Sequence, residues 1–460
     1  MNRRDFLKST SLTGLGALAG AQLLGCAAGQ GRAGMRADPH AQAGELFRTP
    51  PIDVVRVGVV GVGGMGSNHV AQLLKISGVQ IKAICDIVAE KVTRAQDMVE
   101  KSGQARPTGY DRGPRDFERL CQNEDLDIVY TATPWEWHVP VCVAAMNAGK
   151  HAATEVPAAY TIEDCWKLVE TAERTRRHCV MLENCCYDRD EMLVLNLVRK
   201  GLLGEVLHGE CGYLHDLRDI KFSREGEGLW RRAHATQRNG NLYPTHGLGP
   251  IAQCMDINRG DRFDYLVSMS GPSRGLQLWQ QEKLEASDAR RGEQYVLGDV
   301  NLSLIKTAKG RTIYLVHDTN LPRPYSRIHM LQGTRGLFQG YPPRVHIEGR
   351  SKPHQWQPDG EYFAEFDHPL WRSDDVKKAS GGHGGMDFLE SYRLIECLRR
   401  GEPLDMDVYD AAAWSSICEA TQRSVAARSK AIDIPDFTRG AWKTRPPLGI
   451  VGQLGDTHKS

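Results

Sequence analysis

Short apolar runs alternate with amphipathic segments through the first half of the chain. The apolar runs, which predict buried strands, are residues 54–60, 80–85, 128–133, 151–154 and 179–182. Helical spacing of apolar residues occupies the intervals between them, at residues 70–76, 139–148 and 162–176. This alternation is typical of a parallel sheet with helices on both faces.

The second half has a different pattern. Residues 205–215, 265–270, 299–307 and 311–319 are strand-like and are separated by turns such as Ala308-Lys309-Gly310, which predicts antiparallel pairing. Helical patterns return at 386–400 and 409–429. We therefore predict an N-terminal α/β Rossmann domain over 52–184. An α+β domain with an open, mostly antiparallel sheet is predicted over 185–460, with its last helices returning toward the first domain.

The turn after the first predicted strand carries a G-x-G-x-x-G motif at Gly61, Gly63 and Gly66. Glycines at these positions allow a tight turn and a close approach to a pyrophosphate, while the following helix directs its free N–H groups at that charge. The acid Asp86 ends the next strand, where it can accept hydrogen bonds from a ribose diol and would repel a 2′-phosphate. The sequence thus predicts an NAD site.

The first residues have the composition of an export signal. Arg3-Arg4 precedes an uncharged stretch at 9–24 that is too short and too rich in small polar residues to span a bilayer, which matches a twin-arginine signal over 1–26. Leu23-Leu24-Gly25-Cys26 is similar to a lipobox, so Cys26 either carries a lipid anchor or follows an ordinary cleavage site. Residues 27–51 are interpreted as a linker. We expect a periplasmic protein.

Charge and cysteine content argue against two further classes of partner, nucleic acids and metal ions. The net charge is +1 and the 58 basic and 57 acidic residues are interspersed, so nothing favours a nucleic-acid partner. The twelve cysteines are scattered without a C-x-x-C pair, which predicts buried free thiols and no metal site.

The order of the two domains resembles the superfamily of glucose-fructose oxidoreductase and inositol dehydrogenase. Thr133-Pro134 and Glu155-Val156-Pro157 carry this resemblance together with the glycine motif. Members of the superfamily usually have lysine where this chain has Val156, and aspartate where it has Leu242. Of the three polar groups that serve alcohol oxidation there, His246 alone is kept.

Several further segments are similar to the family 109 glycoside hydrolases, which are NAD-dependent α-N-acetylgalactosaminidases. These segments are Trp135-Glu136-Trp137-His138, Glu183-Asn184, Tyr187, residues 213–218, Trp230-Arg231 and residues 243–247. The resemblance implies glycoside cleavage through oxidation at carbon 3 of the sugar, elimination, addition of water and reduction, with NAD regenerated at each turnover. The implied substrate is a glycan with terminal α-linked N-acetylgalactosamine.

The same resemblance implies three sets of site residues. Catalytic proton transfer is assigned to His246 and Tyr187. The implied cofactor-binding residues are Met65, Gly66, Asp86, Trp135, Glu136, Trp137, His138, Glu155, Val156 and Asn184. The implied substrate-binding residues are Tyr213, Arg231, Tyr243, Pro244, Thr245, His246 and Tyr325.

Alternatives remain open for several of these residues. Trp135 and Trp137 alternate as a strand or turn would place them, and packing in the core is the alternative to a role in the site. Tyr187 could begin a helix beside Asp188, and Arg231 with Arg232 could be a solvated pair.

Further alternatives concern a loop and the function as a whole. The glycine-rich segment around His383 is interpreted either as a loop at the mouth of the site or as a plain connection. The competing functions are a sugar or polyol dehydrogenase and a non-catalytic NAD-binding protein. A homo-oligomer formed through the open sheet is also expected.

Overall fold

The computed structural model describes residues 48–374, 376 and 383–451. The predicted signal at 1–26, including Cys26, and the linker up to residue 47 lie outside the described residues. Among the residues that are described, no helix is long and apolar enough to cross a bilayer.

The first domain is built on a six-stranded parallel sheet in the order β3-β2-β1-β4-β5-β6. Its strands are β1 (Val55–Val60), β2 (Val79–Cys85), β3 (Thr108–Tyr110), β4 (Ile128–Thr131), β5 (His151–Thr154) and β6 (Cys179–Met181). The helices between them are α1 (Gly64–Leu73), α2 (Ala89–Lys101), α3 (Phe117–Asn123), α4 (Trp135–Asn147) and α5 (Ile162–Thr175). This is the doubly wound arrangement in which a dinucleotide lies across the carboxyl ends of the strands, and it confirms the predicted Rossmann domain.

Helix α4 begins earlier than the sequence pattern predicted, so the interpretation of Trp135 and Trp137 as strand or turn residues was wrong. Pro134 precedes the first helical residue. Trp135, His138, Val139 and Cys142 are then buried at the i, i+3, i+4 and i+7 spacing of one helix face. Alternation over only four residues was too short to distinguish a strand from a helix.

The second domain contains a nine-stranded sheet in the order β14-β13-β12-β11-β7-β10-β9-β8-β15. Its strands are β7 (Val206–Leu214), β8 (Phe263–Ser270), β9 (Val300–Thr307), β10 (Thr312–Asp318), β11 (Met330–Gly333), β12 (Gly336–Gln339), β13 (Arg344–Ile347), β14 (Gln357–Pro358) and β15 (Ile432–Asp433). Only β7 and β10 pair in parallel; the other neighbours, including the β9–β10 hairpin at 308–310, are antiparallel. The predicted fold class is therefore confirmed in both halves.

Helices of the second domain complete the structure. They are α6 (Arg189–Arg199), α7 (Arg218–Phe222), α8 (Arg231–Gln237), α9 (Thr245–Cys254), α10 (Gly275–Lys283), α11 (Gly360–Phe366), α12 (Pro369–Arg372), α13 (Met386–Arg400) and α14 (Val408–Ala426). Helix α13 packs on α1, and α14 packs on both α5 and β8, so the last two helices join the two sheets into one core.

The cysteines contribute to this core. The eleven cysteines within the described ranges are all buried and free, as the sequence predicted for them.

Candidate active site

The glycine turn between β1 and α1 has the shape that a pyrophosphate requires. Gly61 has a φ of 82°, and a Cβ on Gly66 would lie 1.8 Å from the carbonyl oxygen of Gly61, so strand and helix approach too closely for any side chain. A Cβ on Gly63 would meet nothing within 4 Å. The open side of the turn, at the N-terminus of α1 beside half-buried Met65, is therefore free to receive a phosphate group.

Asp86 fixes the turn from the end of β2. Its carboxylate accepts hydrogen bonds from the backbone N–H of Val62 (2.9 Å) and of Val88 (3.0 Å). Two carboxylate oxygens offer about four acceptor positions, so Asp86 can hold the turn and still accept a ribose hydroxyl. These residues fit the adenosine half of NAD.

A dinucleotide crevice runs along the carboxyl ends of the strands of the first domain. The ends of β5 and β6 form the half of this crevice that lies away from the glycine turn. Glu155 follows β5 and pairs with His69 of α1 (2.6 Å), and Asn184 follows β6 and donates to Asp387 of α13 (2.6 Å). In a doubly wound sheet this second half faces the nicotinamide. Buried Val156 adds an apolar wall beside Glu155.

The helix-α4 residues differ in what they face. Glu136 is exposed, and Trp137 packs edge-on against Phe117 of α3 at 6.1 Å. His138 is wholly buried, with its two ring nitrogens on the carbonyl oxygens of Thr133 (2.9 Å) and Pro157 (2.8 Å). In this structure the His138 side chain stabilises the backbone beside the predicted cofactor site, and it does not face that site.

His246 is the central polar group of the site. It lies in the first turn of α9, with its side chain 14% exposed, and its Nδ1 is 2.7 Å from Oε1 of Glu183, which has no exposed surface. A carboxylate on Nδ1 fixes the orientation of the imidazole and leaves Nε2 as the nitrogen for proton transfer, as an orienting acid does in catalytic triads.

The charge on Glu183 is secured by its partners. Burial opposes ionisation, but His246 and the backbone N–H of Cys185 outweigh it, and the pKa of Glu183 lies below its usual range. Glu183, Cys185 and His246 bring three metal-ligand atoms within 4.8 Å of one another. Burial raises the pKa of the Cys185 thiol well above its ordinary value, which disfavours the thiolate that a metal ion would need. These three residues are therefore better suited to a histidine–carboxylate hydrogen bond than to metal binding.

Aromatic rings from four separate parts of the chain gather beside His246. The ring centroid of Tyr213 lies 5.4 Å from that of His246, and the Tyr243 centroid lies 4.9 Å from it. Trp135 joins at 5.9 Å from Tyr243, and Tyr325 at 6.2 Å from Tyr213. The structure thus brings most of the implied substrate residues into one cluster, most of which is buried.

Arg231 lies inside this aromatic cluster. Its guanidinium carbon is 4.9 Å from the Tyr243 ring centroid and 5.3 Å from that of Trp135, and its Nε pairs with Glu227 at 3.0 Å. Burial works against its charge, but Glu227 and the two phenols Tyr213 and Tyr243 raise the pKa of Arg231. Arg232 instead pairs with Glu293 (2.7 Å) outside the cluster. The two arginines are therefore not a solvated pair.

Two predicted residues lie apart from the cluster. Tyr187 is buried and donates its hydroxyl to Asp405 (3.1 Å), which also binds Arg393. Burial raises the pKa of Tyr187 well above its ordinary value. Asp188, next to it, caps α6, and the catalytic role of Tyr187 stays a prediction. Thr245 has no exposed surface.

The sequence interpretation did not assign roles to two acids of the site. Glu183 was noticed beside Asn184, but only the fold shows that it holds His246. Asp387 accepts hydrogen bonds from Asn184, from Asn68 of α1 (2.7 Å) and from His383 (2.8 Å). The only local signal for Asp387 was its place as the second residue of the helix predicted at 386–400.

Comparisons with known proteins agree with this geometry. Residues 187–444 match the family model described as glycosyl hydrolase 109, C-terminal domain. Residues 55–183 match the oxidoreductase family model with an NAD-binding Rossmann fold. The first domain is therefore an NAD-binding domain.

Solved structures that are similar to the chain show the shared fold. A levoglucosan dehydrogenase in complex with NADH and L-sorbose superposes with a TM-score of 0.65 at 18% identity, covering 84% of this chain and 100% of that one. The scyllo-inositol dehydrogenase of Lactobacillus casei gives 0.59 at 15% identity, covering 84% and 99%.

Full-length relatives share both domains. A glycosyl hydrolase family 109 protein of Shewanella pealeana is 48% identical over 98% of this chain and 99% of its own length. Another, of Solibacter usitatus, is 49% identical over 97% and 99%. With the NAD-binding crevice, the His246–Glu183 pair and the aromatic cluster in one place, the chain belongs to glycosyl hydrolase family 109.

Proposed function

We propose that this glycoside hydrolase removes terminal α-linked N-acetylgalactosamine, with retention of configuration, through an NAD-dependent oxidation, elimination, addition and reduction cycle. The observation that carries the proposal is the His246–Glu183 pair between the nicotinamide half of the crevice and the aromatic cluster. A pair of carboxylates on either side of a scissile bond, the usual glycosidase arrangement, is not needed for this chemistry.

NAD, when bound, supplies the chemistry of taking hydride from carbon 3 of the sugar and returning it after the cycle. The chain's own groups handle the protons. Nε2 of His246 takes the proton from carbon 2, which a ketone at carbon 3 makes acidic, and Glu183 stabilises the imidazolium that forms. The aglycone then leaves from carbon 1, and water adds there while carbon 2 regains a proton.

Recognition of the sugar falls to the aromatic cluster. Tyr213, Tyr243 and Trp135 offer ring faces to the apolar side of a pyranose. The guanidinium fork of Arg231 offers planar donors for hydroxyl or acetamido oxygens. These contacts support an N-acetylated sugar as substrate.

Two packed apolar side chains favour the proposed glycosidase over an ordinary sugar dehydrogenase. Val156 and Leu242 are 2% and 5% exposed, so each fills its position with hydrocarbon where the oxidoreductase superfamily commonly keeps a polar group. A dehydrogenase would lack its usual means of managing the substrate hydroxyl proton.

One experiment tests the proposal directly. The purified protein is incubated with p-nitrophenyl α-N-acetylgalactosaminide without added NAD, in water and in deuterated water. We expect nitrophenol release, deuterium at carbon 2 of the sugar and no net NADH. In a parallel incubation with added NAD, accumulation of NADH with an oxidised sugar would establish a dehydrogenase instead.

A variant tests the role of His246 within it. His246→Ala should abolish nitrophenol release and deuterium exchange while NAD stays bound. His208→Ala is the matched control, because His208 lies on β7 with its side chain 31% exposed and contacts Thr312 instead of the site. Unchanged turnover of His246→Ala would remove this histidine from the mechanism.

We further propose that the enzyme reaches the periplasm by the twin-arginine route, which exports folded proteins and so suits one that must bind NAD in the cytoplasm. Arg3→Lys with Arg4→Lys should retain it in the cytoplasm, as cell fractionation would show. Cys26→Ser should release the periplasmic protein from membranes if Cys26 carries a lipid. We also propose a homo-oligomer through the open sheet, which sedimentation of the purified protein would test.

A further inference from the structure

Two exposed tyrosines extend the aromatic cluster from its buried part to the protein surface. Tyr213 and Tyr243, beside His246, are only 5% and 8% exposed. Tyr325 and Tyr341 are 36% and 39% exposed. The Tyr325 ring centroid lies 6.2 Å from that of Tyr213, and the Tyr341 centroid lies a further 6.2 Å from that of Tyr325. Tyr341 is therefore one ring farther from the buried part than the outermost of the implied substrate residues.

Exposed aromatic rings are uncommon in this chain. Among the described residues, four tyrosine, tryptophan or phenylalanine side chains are at least 36% exposed: Tyr265, Tyr325, Tyr341 and Trp356. Tyr265 lies on β8, and the ring of Trp356 lies under the guanidinium of Arg344 (4.4 Å). Tyr325 and Tyr341 contact each other and belong to the cluster. Adjoining exposed apolar groups at a site are typical of a surface that binds a ligand.

The backbone that carries Tyr341 is strained. Strands β11 and β12 pair up to their ends, and a hydrogen bond from the N–H of Gly340 to the carbonyl oxygen of His329 (3.0 Å) extends the ladder by one step. His329 and Tyr341 then have φ values of 46° and 52°. The left-handed conformation is costly for a bulky residue, and such outliers concentrate at ligand-binding and active sites.

A buried arginine holds both exposed rings. Arg327 is 3% exposed, and its guanidinium carbon lies 5.6 Å from the ring centroids of both Tyr325 and Tyr341. It also donates to the Tyr325 hydroxyl (3.3 Å). Asp188 (2.6 Å) and Glu191 (2.8 Å) fix the guanidinium from the start of α6. Because the two rings are already held in place, a ligand that stacks on them loses less of its binding energy to ordering.

We propose that Tyr341 and the exposed part of Tyr325 form a subsite for a second sugar, the one to which the terminal N-acetylgalactosamine is attached. This inference rests on the proposed glycosidase function. The phenol rings offer flat surfaces to the apolar side of a pyranose, and their exposure leaves room for the rest of a glycan to extend into solvent. The substrate class is thus an oligosaccharide, and Tyr341 is a binding residue that favours it over simple glycosides.

The test compares a substrate that has the second sugar with one that lacks it. The first is the disaccharide of N-acetylgalactosamine α-linked to carbon 3 of galactose, and the second is methyl α-N-acetylgalactosaminide. The wild type should have a lower KM for the disaccharide. Tyr341→Asn removes the ring, and asparagine accepts a left-handed backbone. Its KM for the disaccharide should rise about three- to tenfold, the range for one aromatic stacking contact.

The other kinetic constants of Tyr341→Asn should change little. Its kcat for the disaccharide should stay near that of the wild type, because a contact made equally in the ground and transition states affects KM alone. Both constants for the methyl glycoside should stay within about twofold of the wild type, as for most surface substitutions. A general structural defect would instead affect both substrates.

Two further variants serve as controls. Tyr341→Phe keeps the ring and should restore the low KM for the disaccharide. Trp356→Ala is the matched control, because it removes a 41% exposed ring that packs on Arg344, and it should leave both KM values unchanged. The thermal midpoint of each variant shows whether the fold is intact.

Each outcome has one meaning. A wild type with equal KM for the two substrates, or a Tyr341→Asn enzyme whose KM values are both unchanged or both raised to the same extent, would overturn the inference and leave the glycosidase proposal intact. A wild type that cleaves neither substrate would overturn both.

Discussion

At the scale of single residues, the hydrogen bond between Glu183 and His246 is the contact on which the proposed proton transfer depends. We expect Glu183→Gln to keep the geometry but lose the charge that stabilises the imidazolium. Removing the orienting acid of a comparable pair costs about 10⁴-fold in turnover, so a loss of 10²- to 10⁴-fold in nitrophenol release is expected here. The rate of deuterium entry at carbon 2 measures the same step and should fall in parallel.

The control for this variant is Glu210→Gln, because Glu210 is a 38% exposed acid on β7 that neighbours His208 instead of the site. It should be as active as the wild type. A Glu183→Gln enzyme with normal carbon-2 exchange would show that His246 acts without its carboxylate.

The neighbouring arginines provide a second comparison at this scale. Arg231→Lys keeps a positive charge but loses the planar fork held among Trp135 and Tyr243. We expect KM for the aryl glycoside to rise about tenfold or more, with a smaller effect on kcat. Arg232→Lys, beside it in the chain, removes contacts to Glu293 and should affect thermal stability instead of KM. Identical kinetics for the two variants would exclude Arg231 from sugar binding.

At the scale of secondary structure, the strand–turn–helix unit of β1 and α1 was predicted from sequence because each of its parts has a local cause. Apolar residues place the strand, and glycines are required where the chain turns. The start of α4 was missed because tryptophan and histidine are weak helix formers, and burial of Trp135 and His138 against the rest of the domain decided their conformation. Local pattern therefore determined the sheet, while packing determined where this helix begins.

Substitution of two glycines in the β1–α1 unit should affect stability and NAD binding in opposite ways. Gly66→Ala would place a methyl group 1.8 Å from the oxygen of Gly61, so we expect a destabilised domain, with loss of several kcal/mol typical of overpacking. Gly63→Ala meets no neighbour within 4 Å and should fold normally while weakening NAD binding by occupying the space of the pyrophosphate. Thermal unfolding and NAD titration of the refolded apoprotein separate the two effects. Equal NAD affinity in Gly63→Ala and wild type would contradict this placement.

At the scale of the whole molecule, the site depends on contacts that sequence spacing does not reveal. Glu183 meets His246 across 63 positions, and Asn68 meets Asp387 across 319. The resemblance to known families supplied the residues predicted to face cofactor and sugar. It did not supply the acids behind them, since each acid acts through a partner from another element and can be found only when the fold brings them together.

The distribution of buried titratable groups predicts how the molecule responds to acid. Burial is the main cause of a lowered pKa for eight histidines among the described residues: His138, His151, His178, His215, His234, His317, His329 and His368. Four carboxyl groups among the described residues have a raised pKa and oppose them in this range: Asp190, Glu191, Asp318 and Glu390. With eight histidines against four carboxyl groups, we expect the unfolded chain to bind more protons than the folded one below about pH 6.5, the unperturbed histidine pKa.

Stability should therefore fall on acidification from about pH 6.5 toward 4. The contribution of a lowered histidine is complete above about pH 6.5 and is lost as pH falls toward its folded value. For His317, which is buried on β10, that folded pKa is about 3. Glu191, with a pKa of about 8, acts in the opposite sense, because its contribution is complete at low pH and is lost as pH rises.

Denaturant unfolding at several pH values measures this slope, and His317→Gln should reduce it by about 1.4 kcal/mol per pH unit between pH 4 and 6, the value for one proton. His354→Gln, on the surface, should leave the slope as it is. A wild-type protein whose unfolding free energy stays level or increases on acidification would show that the carboxyl groups with a raised pKa outweigh the buried neutral histidines.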